Sequence, residues 1–264
     1  MPMQTVKKFL GQFVLLRLLY RLPTLLRDQH QSNLIRFCRS LVWFVQDYRS
    51  YRQQSTNQAF ELSGRYLYPC LTDKTVDTPI EPTYFFQDTW FAEKIFQTRP
   101  DHHYDIGSSA TTMGLISQFV PTTMVDIRPI KLQLKNFYFK AGSILELPFE
   151  NGAIASLSSL CVIEHVGLGR YGDGINPWGS EQAINELKRV LAIGGHLFIS
   201  VPVDQASRIY FNAHRAFTRD YVLQLFQEME LVEERYIYGT ELYDAYEAAK
   251  GFGTGLFHFK KPRL

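Results

Sequence analysis

Asp105-Ile106-Gly107-Ser108-Ser109-Ala110, followed after a helix-length gap by Val125-Asp126-Ile127-Arg128, restricts this chain more than any other stretch. An apolar run that ends in Asp-x-Gly, with a second acid about 20 residues on, is how a parallel α/β sheet shapes a nucleoside pocket. Ligands of such sheets sit beyond the carboxyl ends of the strands, where a glycine lets the chain turn sharply. The spacing therefore predicts a Rossmann-like α/β domain with its site near Gly107 and Asp126.

The dinucleotide pattern G-x-G-x-x-G is absent, because Ser108 and Ser109 follow Gly107 and the next glycine is Gly114. With no nest of N–H groups for a pyrophosphate, a nucleoside carrying a cationic tail fits better than a dinucleotide, and S-adenosylmethionine is such a molecule. Asp105 is then expected near the amino group of the methionine moiety, or else as a turn or helix-cap carboxylate. Asp126 is expected on the two ribose hydroxyls, or else as a surface acid after a strand. Gly107, Ser109, Ile127, Ser143, Ile144 and Cys161 complete the candidate cofactor wall.

Alternating signals continue to the carboxyl end. Strands are expected near Tyr104 to Gly107, Thr123 to Ile127, Phe137 to Ala141, Ala153 to Ile163, His196 to Val201, Leu231 to Tyr238 and Leu256 to Lys260, seven in all. Glu186 to Leu191 reads as a helix end, with Gly194-Gly195 as its left-handed cap. Thr83 to Gln97 should be a helix leading into the first strand. Tyr84, Phe85 or Trp90 would lie over the ligand from there, or would fill core.

Ser158 to Asp173, containing Glu164-His165-Val166-Gly167-Leu168-Gly169-Arg170-Tyr171-Gly172-Asp173, with Pro177-Trp178-Gly179 and Asn212-Ala213-His214-Arg215 further on, resembles a bacterial family of unknown function. That family is grouped with the class I S-adenosylmethionine-dependent methyltransferases. The resemblance runs from about Leu67 to the carboxyl end. It implies a seven-stranded class I methyltransferase sheet, S-adenosylmethionine as cofactor, and a setting in surface-polysaccharide biosynthesis. Two residues depart from the pattern: Ser143 stands where an acid often accepts the adenine amino group, and Ser109 where glycine is common. A pocket that no longer binds cofactor is therefore a live alternative.

Glu164 and His165 follow the fourth strand, where this fold places groups facing the transferred methyl. A sulfonium methyl is already activated, so the protein needs to align the nucleophile and remove its proton. His165 can act as that base, with Glu164 and His214 as further catalytic candidates; equally, the Glu-His pair can serve only to tie down the loop after it. In that loop Arg170 suits a carboxylate or phosphate, Tyr171 a sugar ring and Asp173 a hydroxyl. Asn212 and Arg215 would reach the same mouth. His102-His103 lacks the spacing of a metal set, so no metal is expected.

The overall reading is an enzyme that methylates an oxygen of a saccharide or other small hydroxyl acceptor. The rival is a non-catalytic, methyltransferase-like partner subunit in glycan assembly. A nicotinamide-dependent nucleotide-sugar enzyme is disfavoured by the missing glycines.

Composition sets the outer limits. With 264 residues and 45% hydrophobic content, one large α/β domain plus an extension is expected, as residues 66–264 and 1–65. Through Arg65 there are ten basic residues against three acids, a charge of +7 that leaves −5 for the rest of a chain carrying +2 overall. Such asymmetry suits an anionic partner, though nucleic acid is not expected. Phe9 to Leu26 is apolar but broken by Arg17, Arg21 and Pro23, so it reads as an amphipathic helix rather than an export signal or a span. Its apolar face would pack on the domain or on a second copy in a homodimer, or would touch a membrane surface. A second helix is expected from Ser32 to about Tyr51, then a polar linker at Gln53 to Gln58, then an extended, proline-rich stretch from Leu67 to Pro82. Three scattered cysteines, Cys38, Cys70 and Cys161, form no disulfide framework, which suits a reducing cytoplasm, with the inner face of the membrane as the peripheral site.

Overall fold

The computed structural model describes residues 33–263, so the amphipathic helix expected over Phe9 to Leu26, and the membrane contact expected of it, lie outside the described residues. Among the described residues no helix is long and apolar enough to cross a membrane. The chain divides into two compact units at Pro79/Ile80.

In the first unit, helix α1 spans Asn33–Gln54, three residues further than the apolar repeat suggests, so the expected linker begins inside it. Its stripe of Phe37, Leu41, Phe44 and Tyr48 is half-buried. A 3-10 turn at Gly64–Tyr66 is capped by the Ser63 side chain. Beyond it the chain runs without helix or strand to Ile80, and Lys74 pins it to α1 through Asp47, 3.1 Å away, and the face of Trp43.

The second unit opens with α2, Pro82–Thr98, where proline in the first turn and the Glu81 carboxylate on the Tyr84 N–H start the helix and a left-handed Arg99 ends it. There follow β1 (His103–Ile106), α3 (Ala110–Ile116), β2 (Thr122–Asp126), β3 (Phe137–Ala141), β4 (Ile154–Leu160), α4 (Gly179–Val190) and β5 (Leu191–Val203). The remainder is β6 (Arg208–Tyr210), β7 (His214–Ala216), α5 (Arg219–Leu225), β8 (Glu230–Tyr238), β9 (Glu241–Tyr243) and β10 (Gly253–Lys260).

Eight strands form the main sheet, in the order β3-β2-β1-β4-β5-β10-β8-β9, and β6-β7 make a separate hairpin. β1 to β5 are parallel, whereas β10 runs antiparallel to both β5 and β8. The expected seven strands are all present, and β9 corrects the count to eight: it is a three-residue edge strand folded back on β8 through Gly239, too short to carry an apolar signal.

Both sheet faces are covered, as a parallel sheet requires. Alternate residues of β5 supply the two cores: Leu197, Ile199 and Val201 pack under α4 with Leu187 and Phe257, while Phe198 meets Trp90, Phe91 and Met124 on the α2 side. The pair Gly194-Gly195 is not the cap of α4, which ends at Val190 with Leu191 already extended. It is a bulge within β5, where β5 advances from Leu191 to His196 while β4 advances from Ile154 to Ser156. Gly194, at φ +76, and Gly195 instead bond to Lys261, which joins the sheet to the carboxyl-terminal tail.

Candidate functional site

At the carboxyl ends of β1, β2, β3 and β4 lies a cleft of about 680 Å³, part of it open to solvent. Gly107, Asp126, Ile127, Ser143, Ile144, Cys161, His165, Tyr171 and Asp173 all line it, so residues up to 66 positions apart in sequence meet in one place. The positive φ of Gly107 (+74) allows the turn out of β1, and a Cβ there would press on Val162 at 3.0 Å. Asp126 stands at the tip of β2 and accepts from the Arg128 N–H at 2.8 Å, with the Arg128 guanidinium 3.4 Å away. Ile127 and Ile144 supply apolar wall. The Ser143 hydroxyl accepts from the Leu145 N–H at 3.2 Å, which shapes the turn after β3.

Asp105 does not face the cleft. It is fully buried, and its carboxylate accepts from the Ser108 N–H at 3.0 Å, the Ser108 hydroxyl at 2.6 Å and the Ser158 hydroxyl at 2.6 Å. The network continues inward, since His103 bridges Ser158 at 2.9 Å and Ser156 at 2.8 Å. Because Ser158 spends its proton on Asp105, the His103 Nε2–H donates to Ser158 and Nδ1 accepts from Ser156. Burial raises the Asp105 carboxyl to about 6, against the pull of its serine donors, and lowers His103 to about 3. Of the two sequence readings, the turn carboxylate is the one realised: Asp105 ties β1 to β4 and fixes Gly107.

Ser109 likewise caps α3 through the Thr112 N–H and is not in the cleft wall. Cys161, held at φ +52, gives its thiol to the buried Gln87 at 3.0 Å, and burial pushes that thiol up.

The pair after β4 occupies a 3-10 turn, Ile163–His165. His165 Nδ1 lies 2.6 Å from the Ala213 carbonyl, which only accepts, so Nδ1 carries the proton and Nε2 the free lone pair. Burial lowers this imidazole to about 4 and raises the fully buried Glu164 carboxyl to about 8. Their approach of 3.6 Å is therefore a contact of two neutral groups near pH 7, not an ion pair. Glu164 Oε2 has no hydrogen-bond partner among the described residues.

Loop Gly167–Gly174 folds over the cleft. Tyr171 stacks on the Arg128 guanidinium at 4.5 Å and meets the His165 ring edge-on at 5.5 Å, while Asp173 holds the loop shut on itself through the Gly167 N–H at 2.6 Å and the Tyr171 N–H at 3.3 Å. Arg170 is exposed and donates to the Ala213 carbonyl at 3.0 Å. His214 is partly buried and Asn212 lies exposed in the β6–β7 turn at φ +65. Arg215 is a correction: it is buried, and its guanidinium donates to Val166 O at 2.6 Å, Asn176 O at 3.1 Å and the Ser180 hydroxyl at 3.2 Å. It holds the base of the loop instead of reaching a substrate.

Sequence reasoning passed over Arg128, two residues beyond Asp126, and Gln87, which accepts from both Cys161 and Ser200. Adjacency to Asp126 was a usable signal for the first; nothing local marks the second. Of the three aromatic residues expected over the ligand, Trp90 is core, with its indole N–H on Glu233, whereas Tyr84 and Phe85 are exposed. Burial, with Cys161 and Tyr171 among the neighbouring groups, raises the Tyr84 phenol. Among the described residues no group of three or more His, Cys, Asp and Glu is placed to hold a metal ion.

The family described as "Caenorhabditis protein of unknown function, DUF268" matches residues 143–242, a shorter stretch than the resemblance from Leu67 onward. No curated protein matches the chain. Among solved structures it is similar to the [4+2]-cyclase SpnF, at 12% identity over 67% of this chain and 82% of that one, with a TM-score of 0.51. It is also similar to a "putative sarcosine dimethylglycine methyltransferase" from Galdieria sulphuraria, at 14% identity over 67% of this chain and 86% of that one, TM-score 0.50. The N-methyltransferase NodS from Bradyrhizobium japonicum WM9, solved with S-adenosyl-L-homocysteine, matches 82% of this chain and 98% of that one at 16% identity and TM-score 0.49. The fold is thus that of the class I methyltransferases, with one strand added at the β8 edge.

Proposed function

We propose that the cleft binds S-adenosylmethionine and that the protein is a methyltransferase acting on an oxygen of a small acceptor, a saccharide in our reading. The observation that carries this is the placement of Asp126 at the tip of β2, between Ile127 and the Ser143-Ile144 wall, in the same cleft as a neutral His165 whose Nε2 is unprotonated. The nucleoside half of the cofactor fits these residues: a carboxylate for the ribose hydroxyls, apolar side chains for the base, and the Gly107 turn for close backbone approach. The amino-acid end finds no free carboxylate at Asp105. When bound, the cofactor supplies a methyl group on sulfur that is already activated toward a nucleophile. The chain's own part is to orient the acceptor hydroxyl and take its proton on His165 Nε2, while the Tyr171 loop keeps water out.

Calorimetric titration with S-adenosylmethionine and S-adenosylhomocysteine tests the reading. Losing Asp126 removes charge-assisted hydrogen bonds worth about 1.5–3 kcal/mol each, so Asp126→Ala should weaken binding by tenfold or more. No binding to the unmodified protein at millimolar ligand sinks the proposal.

One observation favours a second reading. Arg128 already pairs with Asp126, which suits a non-catalytic partner subunit in surface-glycan assembly. Cofactor affinity without turnover would discriminate it. In either reading we place the protein in the cytoplasm, the net positive charge of the sequence 1–65 suiting the inner face of the membrane.

A further inference from the structure

The cofactor reading leaves unused a patch beside His165. The turn between β6 and β7 places one backbone carbonyl, that of Ala213, where both His165 Nδ1 and Arg170 Nη1 donate to it, at 2.6 and 3.0 Å. On the same hairpin the Tyr210 and His214 rings stand 5.0 Å apart, and Phe252, just before β10, packs on them at 6.5 and 5.7 Å. These rings are not core: Tyr210 is 42% exposed, Phe252 50%, and Phe211 at the tip of the turn 72%. The chain buries aromatics where it needs packing, as with Tyr236 and Phe257 at 0%. A ring cluster left open on a hairpin whose Ala213 carbonyl holds His165, a residue of the cleft wall, is a contact surface.

The exposed charge beside the cluster is that of Arg170. Arg170 is exposed, and among the described residues no carboxylate lies within ion-pair distance of it. Its guanidinium lies over the Tyr171 ring at 5.1 Å. Burial and the Arg170 charge lower His214, burial lowers His165 and raises Glu164, and the Asp173 carboxylate faces the Gly167 and Tyr171 N–H groups, forming no ion pair with Arg170. A planar guanidinium with free N–H groups next to open π faces matches a ring that bears an oxyanion.

We propose that the β6–β7 hairpin, with Phe252 and Arg170, is the acceptor subsite, and that the acceptor is a ring carrying a carboxylate or phosphate. The ring lies on Tyr210, His214 and Phe252, and the oxyanion meets Arg170, next to His165. The use made of the bound ring rests on the methyltransferase reading; the binding does not.

The test uses the full chain, with and without S-adenosylhomocysteine, and three probes followed by saturation-transfer NMR: methyl β-D-glucuronide, glucose 6-phosphate and methyl β-D-glucoside. At least one anionic probe should bind about tenfold more tightly than the neutral glucoside, and which of them does so assigns carboxylate or phosphate. Arg170→Gln should erase the preference, and Phe252→Ala should weaken every probe while leaving the melting curve in place. Equal binding of glucoside and anions, a preference that survives Arg170→Gln, or no binding of any probe overturns the subsite. Arg170-dependent binding of an anionic probe to protein that does not bind S-adenosylhomocysteine would keep the subsite and remove the methyltransferase reading, so the two fail separately.

Discussion

Glu164 is a buried carboxyl that the fold keeps protonated, and its cost should be measurable as a pH-dependent stability. Burial raises it from 4.5 to about 8, and Oε2 finds no partner among the described residues to offset the loss of water. The unfolded chain ionises Glu164 above about 4.5. Between there and pH 8 the unfolded state gains ionisation that the native state does not, so stability falls as pH rises, by about 1.4 kcal/mol for each pH unit. Across the window from 4.5 to about 8, some 3.5 units wide, the loss is on the order of 5 kcal/mol. Glu164→Gln keeps the shape and removes the titration. Urea unfolding of both proteins should give similar stabilities at pH 5 and a progressively larger advantage for the glutamine variant up to pH 8. A difference that does not change with pH, or a wild type that gains on the variant as pH rises, refutes the assignment of Glu164 as a neutral buried acid.

Three further outcomes follow from the same geometry. Because burial lowers His165 to about 4, its Nε2 stays available as a base down to about pH 5, so kcat/KM should show no inflection near the ordinary imidazole value of 6.5; His165→Gln should abolish turnover and leave cofactor affinity unchanged by calorimetry. Arg215→Met strips donors from Val166 O, Asn176 O and Ser180 and should cost about 3 kcal/mol or more in urea unfolding; a change confined to acceptor KM would instead return Arg215 to the substrate. Gly167→Ala places a Cβ against the Asn176 carbonyl at φ +80, so the Tyr171 loop must move, at a cost of roughly 2–4 kcal/mol, read out as a lower melting temperature and faster protease cleavage within 167–174.

How far the chain could be read depended on whether the signal was local. β3 lies over Phe137–Ala141, the residues expected of it, because an exposed edge strand shows its boundaries in turn residues on either side. β5 begins at Leu191 and not at His196, because Gly194-Gly195 has the look of a helix cap and only pairing with Lys261 makes it a bulge. Asp105 shows the same limit at the site. Its motif locates the end of β1, but the direction its carboxylate takes is set by Ser158, 53 positions away. Arg215 belongs to an Asn-Ala-His-Arg run that reads as a polar mouth, yet four acceptors from the segment 166–180 draw it into the interior. Burial of a charged side chain by distant carbonyls leaves no periodic trace.

The site has two halves, one on the strand ends of the sheet and one in the segment that follows β4. Gly107, Asp126 and Ile127 stand on strand ends of a sheet that this chain has in common with a cyclase and with a methyltransferase alike, so that half fixes where a ligand sits without fixing what happens to it. Glu164, His165, the Tyr171 loop and the β6–β7 hairpin all fall within residues 143–242, the segment matched by the family of unknown function. There the chain departs from a plain alternation of strand and helix: a 3-10 turn follows β4, glycines at positive φ fold a loop over the cleft, and a two-stranded hairpin stands apart from the main sheet. One carbonyl, Ala213 O, couples these additions by fixing the His165 tautomer and anchoring Arg170 together. On the proposed function, a change in the hairpin therefore reaches proton transfer and acceptor recognition at once, whereas a change at Asp126 reaches cofactor affinity and, through Arg128, the Tyr171 loop. Variants of the two halves should thus separate in kinetics, with hairpin substitutions moving kcat and acceptor KM together at an unchanged S-adenosylhomocysteine affinity.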